Sequence, residues 1–291
     1  MAFPNNGVVP APMIVPSAFG LLAVVKPENS TDENKWIRGF SQEWETELYS
    51  AKLWDDTDTT SDTVASDASP NRHDYIKPFF IEVEDNLSTM GFLGIDRIER
   101  VKNQLEGVTQ KAIEKELCDG VIRLGESHEN EYLRSANATV LNSGTALSAK
   151  RALALLEQTI GSTSPAGEQG IIHMTRDVMT IISSNSNMLL HEEGTDHLQT
   201  VGGTRVVVGS GYSGDAPTGV TGAGASATNK WMYATGTVKV FIGNIDVVND
   251  NLAQAYDVSG NQNDMRLKAI RPAAVYFDTS IHLAIRVDLT T

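Results

Sequence analysis

Apolar residues recur at steps of three and four between Ile98 and Leu117: Ile98, Val101, Leu105, Val108, Ala112, Ile113 and Leu117. That spacing gathers them on one face of a helix. Arg97, Glu99, Arg100, Lys102, Glu106, Lys111, Glu114 and Lys115 fill much of the rest, as a solvated face requires. Asp96 has the side chain of an N-cap, and Gly120 suits the stop. The pattern predicts a helix of about six turns. A second helix is expected from Ala146 to Ile160, capped by Thr145 and ended by Gly161, and a short one from Arg176 to Ser183.

Alternation marks the strands. Trp44, Thr46, Leu48 and Ser50 alternate with Glu43, Glu45, Glu47 and Tyr49 inside a first stretch, Trp36 to Trp54. A second runs from Tyr75 to Asp85. Between them, Asp55 to Asp74 is rich in Asp, Ser and Thr. The three parts predict a long two-stranded ribbon with a polar tip. An isolated hairpin is marginal in water, so a ribbon this long needs support, and a second chain is an obvious source. Further strands are expected over Gly170–Thr175, Thr204–Val208, Trp231–Ile242, Met265–Asp278 and Ile281–Leu289. Strands and helices mix without regular alternation, which makes the fold class α+β rather than doubly wound. Gly209 to Lys230 reads as a 22-residue loop with six glycines, a length that is usually functional or mobile.

The N-terminus has a different texture. Five of the ten prolines lie in the first 27 residues, and no charged residue precedes Lys26. Pro10, Pro12 and Pro16 interrupt the apolar stretch from Gly7 to Val25, which argues against a membrane helix. A secretory signal would need a basic start, and none is present. Residues 1–35 are therefore expected to form an extended apolar arm without regular helix, lying on a neighbouring subunit.

Composition narrows the partners. The formal net charge of −14 disfavours tight nucleic-acid binding, which draws on Lys and Arg, although an acidic wall can enclose DNA without adhering to it. One cysteine, Cys118, excludes an intrachain disulfide and reads as a small core residue.

Candidate chemistry is sparse. Gly209–Gly214 matches G-x-G-x-x-G, but Asp215, Pro217, Gly219, Gly222 and Gly224 deny it the following helix that a dinucleotide site needs. Gly211–Asp215 has Asp215 where a nucleophile elbow needs its last glycine. His191, Glu192 and Glu193 open a metalloprotease-like run, but Thr195 stands where the second histidine belongs, and a solvated acidic loop is the simpler reading. A zinc site from His191 and His197 is the sharper alternative. His173, on a strand, reads as a hydrogen-bonded core histidine.

The order of segments resembles the HK97-type major capsid protein of tailed bacteriophages. Three runs are similar to those of phages infecting actinobacteria: GIIHMTRDV (Gly170–Val178), GTRVVVGSGY (Gly203–Tyr212) and WMYATG (Trp231–Gly236). The resemblance implies an N-terminal arm over 1–35 and an E-loop over 36–85. It implies a peripheral domain with a spine helix over 86–137 and an axial domain over 138–236. Residues 237–291 would return through the peripheral domain as closing strands. It further implies a non-enzymatic shell subunit of the virion, forming hexamers and pentamers around double-stranded DNA. Its partners would be other copies of itself, a scaffolding protein and a portal, with a decoration protein as an optional addition and no membrane. No catalytic, cofactor or metal residues carry over. Because the family's E-loop lies over a neighbour's peripheral domain, the acidic ribbon (Glu43, Glu45, Glu47, Asp55, Asp56, Asp58) is expected to dock on Arg97, Arg100 and Lys102. An encapsulin-type shell is the alternative within the fold, disfavoured by the proline-rich arm, and a soluble hydrolase is the alternative outside it.

Overall fold

The computed structural model describes residues 17–44, 72–88, 97–120, 130–163, 170–185, 188–191, 197–220, 224–249 and 264–290. Helix α1 (Leu21–Val24) is followed by strand β1 (Glu28–Asn29), helix α2 (Glu33–Arg38) and strands β2 (Phe40–Trp44), β3 (Arg72–Ile76) and β4 (Phe79–Ser88). Helix α3 (Arg97–Asp119) lies against a five-stranded sheet whose middle is β14 (Asp264–Phe277). One edge of β14 pairs antiparallel with β4 over ten residues, from Asp264↔Ser88 to Ala273↔Phe79. Its other edge pairs with β12 (Val238–Ile242) and β13 (Asp246–Asn249), and β1 adds to β12 in parallel. Period-two alternation gives the sheet two apolar faces. Ala273, Val275 and Phe277 meet the α3 core, while Ala274 and Tyr276 meet a small aromatic cluster on the far side.

The second sheet has eight strands: β5 (Thr139–Val140), β6 (Leu147–Ser148), β7 (Ile171–Met174), β8 (Leu189–His191), β9 (Leu198–Thr200), β10 (Arg205–Val208), β11 (Asn229–Thr235) and β15 (His282–Asp288). β7 and β10 run parallel, and β11 is antiparallel to both β7 and β15. It too is buried on both faces. Ile172, Met174, Val206, Val208, Met232, Ala234, Leu283, Ile285 and Val287 pack on α4 (Ala149–Thr163) and α5 (Arg176–Asn185). Ile171, Val207, Trp231, Tyr233 and Ala284 point the other way and join Val101, Leu105, Ile113 and Leu117 of α3. One apolar core therefore welds the two sheets, and each fully buried aliphatic side chain in it contributes about 1.5–3 kcal/mol.

Several expectations from the sequence need correction. The first ribbon stretch does not begin as a strand at Trp36. Residues 33–38 form α2, N-capped by Asp32, whose side chain accepts from Asn34 N at 3.0 Å. The second stretch breaks at Lys77 and Pro78. Only β3 continues the ribbon by pairing with β2, and β4 is a sheet strand. Residues 45–71, with the ribbon's centre, lie outside the described residues. The arm is not helix-free, because α1 and the start of α2 fall within 1–35. Nor does all of it await a neighbour, since Leu21 and Val24 are buried in the subunit's own core. Trp231–Ile242 is two strands in different sheets, separated at Gly236 and Thr237. On α3, Ile98 and Val108 are 45% and 43% exposed, whereas Glu114, placed on the solvated face by its charge, is fully buried. Asp96 lies outside the described residues, and Gly120 does end α3 in a left-handed conformation, φ +59°.

The second helix begins at Ala149, after β6, and runs through Gly161 to Thr163. A Cβ at Gly161 would meet nothing within 4 Å, so the glycine there relieves no crowding. Gly161→Ala should therefore stabilise the subunit by about 0.5–1 kcal/mol, read as a higher urea midpoint at constant slope.

Candidate functional site

The described residues hold one conspicuous polar centre, where α3 meets the Gly-rich loop and an N-terminal strap, residues 17–25. Glu114 is fully buried and accepts five hydrogen bonds. Its Oε1 receives Leu21 N at 3.0 Å and Gln110 Nε2 at 2.9 Å. Its Oε2 receives Ser210 N at 2.7 Å, Ser210 Oγ at 3.1 Å and Gly211 N at 2.9 Å. Backbone N–H groups thus supply most of the compensation that a buried carboxylate requires. Two glycines allow the approach. A Cβ at Gly211 would sit 2.6 Å from Lys111 O, and one at Gly20 would overlap Gln110 Nε2. The strap is held elsewhere too: Val208 N donates to Phe19 O at 2.7 Å, and His197 Nε2 lies 2.8 Å from Ala23 O.

The chain after α3 makes a second junction. Leu133 N and Arg134 N donate to Leu117 O and Cys118 O, so residues 130–138 fold back on the helix end. Arg134 donates through Nε to Ala216 O at 3.1 Å and through Nη1 to Asp119 Oδ1 at 2.8 Å. Asn130 bonds both polar groups of the Lys77 backbone and Val275 O, fixing the turn between β3 and β4. Cys118 is buried beside these groups. Burial, then the Asp119 charge, pushes its thiol up to about 12, which keeps it protonated and unreactive at neutral pH. Residues 209–217, expected to be functional or mobile, are instead packed and bonded into this region.

His173 reads as a structural group with a determined tautomer. Thr235 Oγ1 donates to Gly236 O at 3.0 Å, so it accepts from His173 Nε2–H at 2.9 Å. His173 Nδ1 is then the acceptor for the Tyr212 hydroxyl at 2.9 Å. Every ring position is satisfied in the neutral form. Burial, helped by the nearby His282, lowers its pKa to about 3. Among the described residues, no group of three or more His, Cys, Asp or Glu is arranged to hold a metal ion. No helix among them is long and apolar enough to cross a membrane.

The outer face of the five-stranded sheet carries the ribbon's base. Phe40 stacks on Phe241 at 4.5 Å between ring centroids, Phe241 on Tyr276 at 6.0 Å, and Trp36 meets Phe40 edge-on at 5.0 Å. Trp36 Nε1 donates to Ser30 O at 3.2 Å. Beyond this cluster Ile37 is 82% and Phe80 59% exposed.

Of the residues expected to dock subunits, Arg97, Arg100 and Lys102 fall in the first two turns of α3, with Arg100 half-buried and Lys102 exposed. Glu43 lies on β2, opposite His73. Glu45, Glu47, Asp55, Asp56 and Asp58 lie outside the described residues. Sequence reasoning missed Glu114, Asn130 and Arg134. For Glu114 a signal existed: Gln110, Ile113, Glu114 and Leu117 follow the three- and four-residue steps of the buried face.

No protein-family model matches the chain, and no curated protein matches it in sequence. Solved structures do match. With 99% of this chain aligned, the capsid of a native GTA particle matches over 96% of its own chain, with a TM-score of 0.59 and 10% identity. The capsid of an empty GTA particle gives 99%, 95%, 0.59 and 10% in the same order. The structure of Microbacterium phage Oxtober96 gives 99%, 96%, 0.54 and 10%. The chain has the HK97-type capsid fold. Within that fold, the Glu114 centre and the 130–138 junction tie separate elements to α3.

Glu114→Ala should destabilise the subunit by at least about 3 kcal/mol, because it strands several donors around a buried site. Chemical denaturation of the soluble chain measures this. The histidines make stability pH-dependent. Below about pH 6.5 the unfolded chain gains a proton that folded His173 refuses until about pH 3. His282, also lowered chiefly by burial, acts in the same direction. Stability is therefore fully present above pH 6.5 and falls on acidification, by about 1.4 kcal/mol per pH unit for His173 alone. Urea midpoints from pH 7.5 to 4.5 test this, and His173→Gln should flatten the slope.

Proposed function

We propose that the chain is the major capsid protein of a tailed phage, a structural, non-enzymatic subunit of an icosahedral head. The observation that carries this reading is the alignment of nearly its whole length with nearly the whole of capsid chains. The assignment of parts follows. The five-stranded sheet with α3 serves as peripheral domain and spine helix, and the eight-stranded sheet with α4 and α5 as axial domain. Residues 1–35 would serve as the arm and residues 36–85 as the E-loop. Hexamers and pentamers of this chain would enclose double-stranded DNA, with a scaffolding protein and a portal as partners. The charge of −14 suits a wall that holds DNA without adhering to it. Expression, alone or with its scaffolding protein, should yield closed shells seen by electron microscopy and as megadalton species on sizing. A stable monomer that persists with the scaffold present would refute the reading.

Docking of the acidic ribbon (Glu43, Glu45, Glu47, Asp55, Asp56, Asp58) on Arg97, Arg100 and Lys102 of a neighbour remains part of the proposal. Exposed ion pairs contribute only about 0–1 kcal/mol each, so their role would be register and approach. Reversing Arg97, Arg100 and Lys102 to Glu together should slow or stop assembly, and reversing the ribbon acids should restore it. Light scattering across a range of salt reads both, and unchanged assembly would sink the idea.

A further inference from the structure

His282 differs from His173 in one respect. Its Nε2 lies 3.1 Å from Leu133 O, a carbonyl that can only accept, so the neutral ring carries its lone pair on Nδ1. That Nδ1 is buried and accepts no hydrogen bond. Glu131 Oε1 lies 3.6 Å from it. A lone pair facing a carboxylate is unfavourable, and one added proton turns the same geometry into a charge-assisted contact. Glu131 is held in place for this: Ser135 Oγ donates to its Oε1, and Asn137 Nδ2 to its Oε2 at 3.1 Å.

We propose that His282 and Glu131 form a proton-operated latch, in which a proton taken up from mildly acidic solution onto Nδ1 closes an ion pair that ties β15 to residues 130–138. That segment already bonds the end of α3 through Leu133 N and Arg134 N, and β14 through Asn130. Closing the latch therefore tightens the local join of β15 to residues 130–138, although burial makes the same proton costly to the fold as a whole. The titratable groups that face His282 are Glu131 from the 130–138 segment and His173 from β7. From β14 comes the ring of Phe277, 5.0 Å away and edge-on, and from β11 Thr235 lies opposite in register; both are neutral. His173 does not compete for the proton, because both its nitrogens are engaged in the neutral form.

Hydrogen exchange at histidine C2, read by mass spectrometry on the full chain from pH 4 to 9, follows each ring separately. The expected result is a titration of His282 within that range. Its proton affinity should fall at least about tenfold in Glu131→Gln, the usual effect of losing a charge at this distance, while His173 stays as it was. Glu131→Asp, which keeps the charge one methylene further away, should give a smaller fall and serves if the Gln variant does not fold. Wild-type amide exchange at Leu133 and Arg134 should slow, relative to the rest of the chain, as His282 protonates. A His282 midpoint unmoved by both substitutions, or no titration above pH 4, overturns the latch.

Discussion

A single buried carboxylate dictates how the parts of this subunit meet. Among the described residues no cation pairs with Glu114, so its charge is tolerable while peptide N–H groups surround it. Those groups come from the N-terminal strap and the Gly-rich loop. Displacing either leaves both the carboxylate and its donors unsatisfied, and the strap, loop and helix are consequently fixed together or not at all. A side chain at Gly211 would push the loop off the helix backbone, and one at Gly20 would displace Gln110 from Glu114.

Around that centre, burial is unevenly distributed. Both sheets are covered on both faces over much of their area, so the body is stable in its own right. The described part of the ribbon meets the body through its aromatic base, where Phe40, Phe241 and Tyr276 stack.

The sequence made the long helix legible because period 3.6 survives over many turns, and it made β10 legible through the run Val206–Val208 and β14 and β15 through their apolar content. It failed where tertiary contacts outweighed local preference. Gly161 looked like a stop, but α4 continues over it, since one glycine costs a helix only about 1 kcal/mol. Trp36 looked like the start of a strand until Asp32 capped a helix in front of it. The Gly-rich loop looked loose because nothing local orders it; its order comes from Glu114 and Arg134, about a hundred and about eighty residues away. Glu114 itself was misread because a charge on a helix is usually solvated. The capsid fold, in contrast, was legible in the order of segments, which no single element carries.

The last strands of the chain are the inner strands of both sheets. β14 separates β4 from β12 and β13, and β15 lies between β11 and the short strands β5 and β6. A nascent chain stopped before residue 264 therefore has neither sheet closed, whatever helices it has formed. Leu21 N waits for an acceptor 93 residues later, and that carboxylate waits a further 96 for Ser210. Such long-range pairing is slow and leaves apolar edges open meanwhile. Both sheets therefore close only once residues 264–288 are in place, and the earlier elements wait for them.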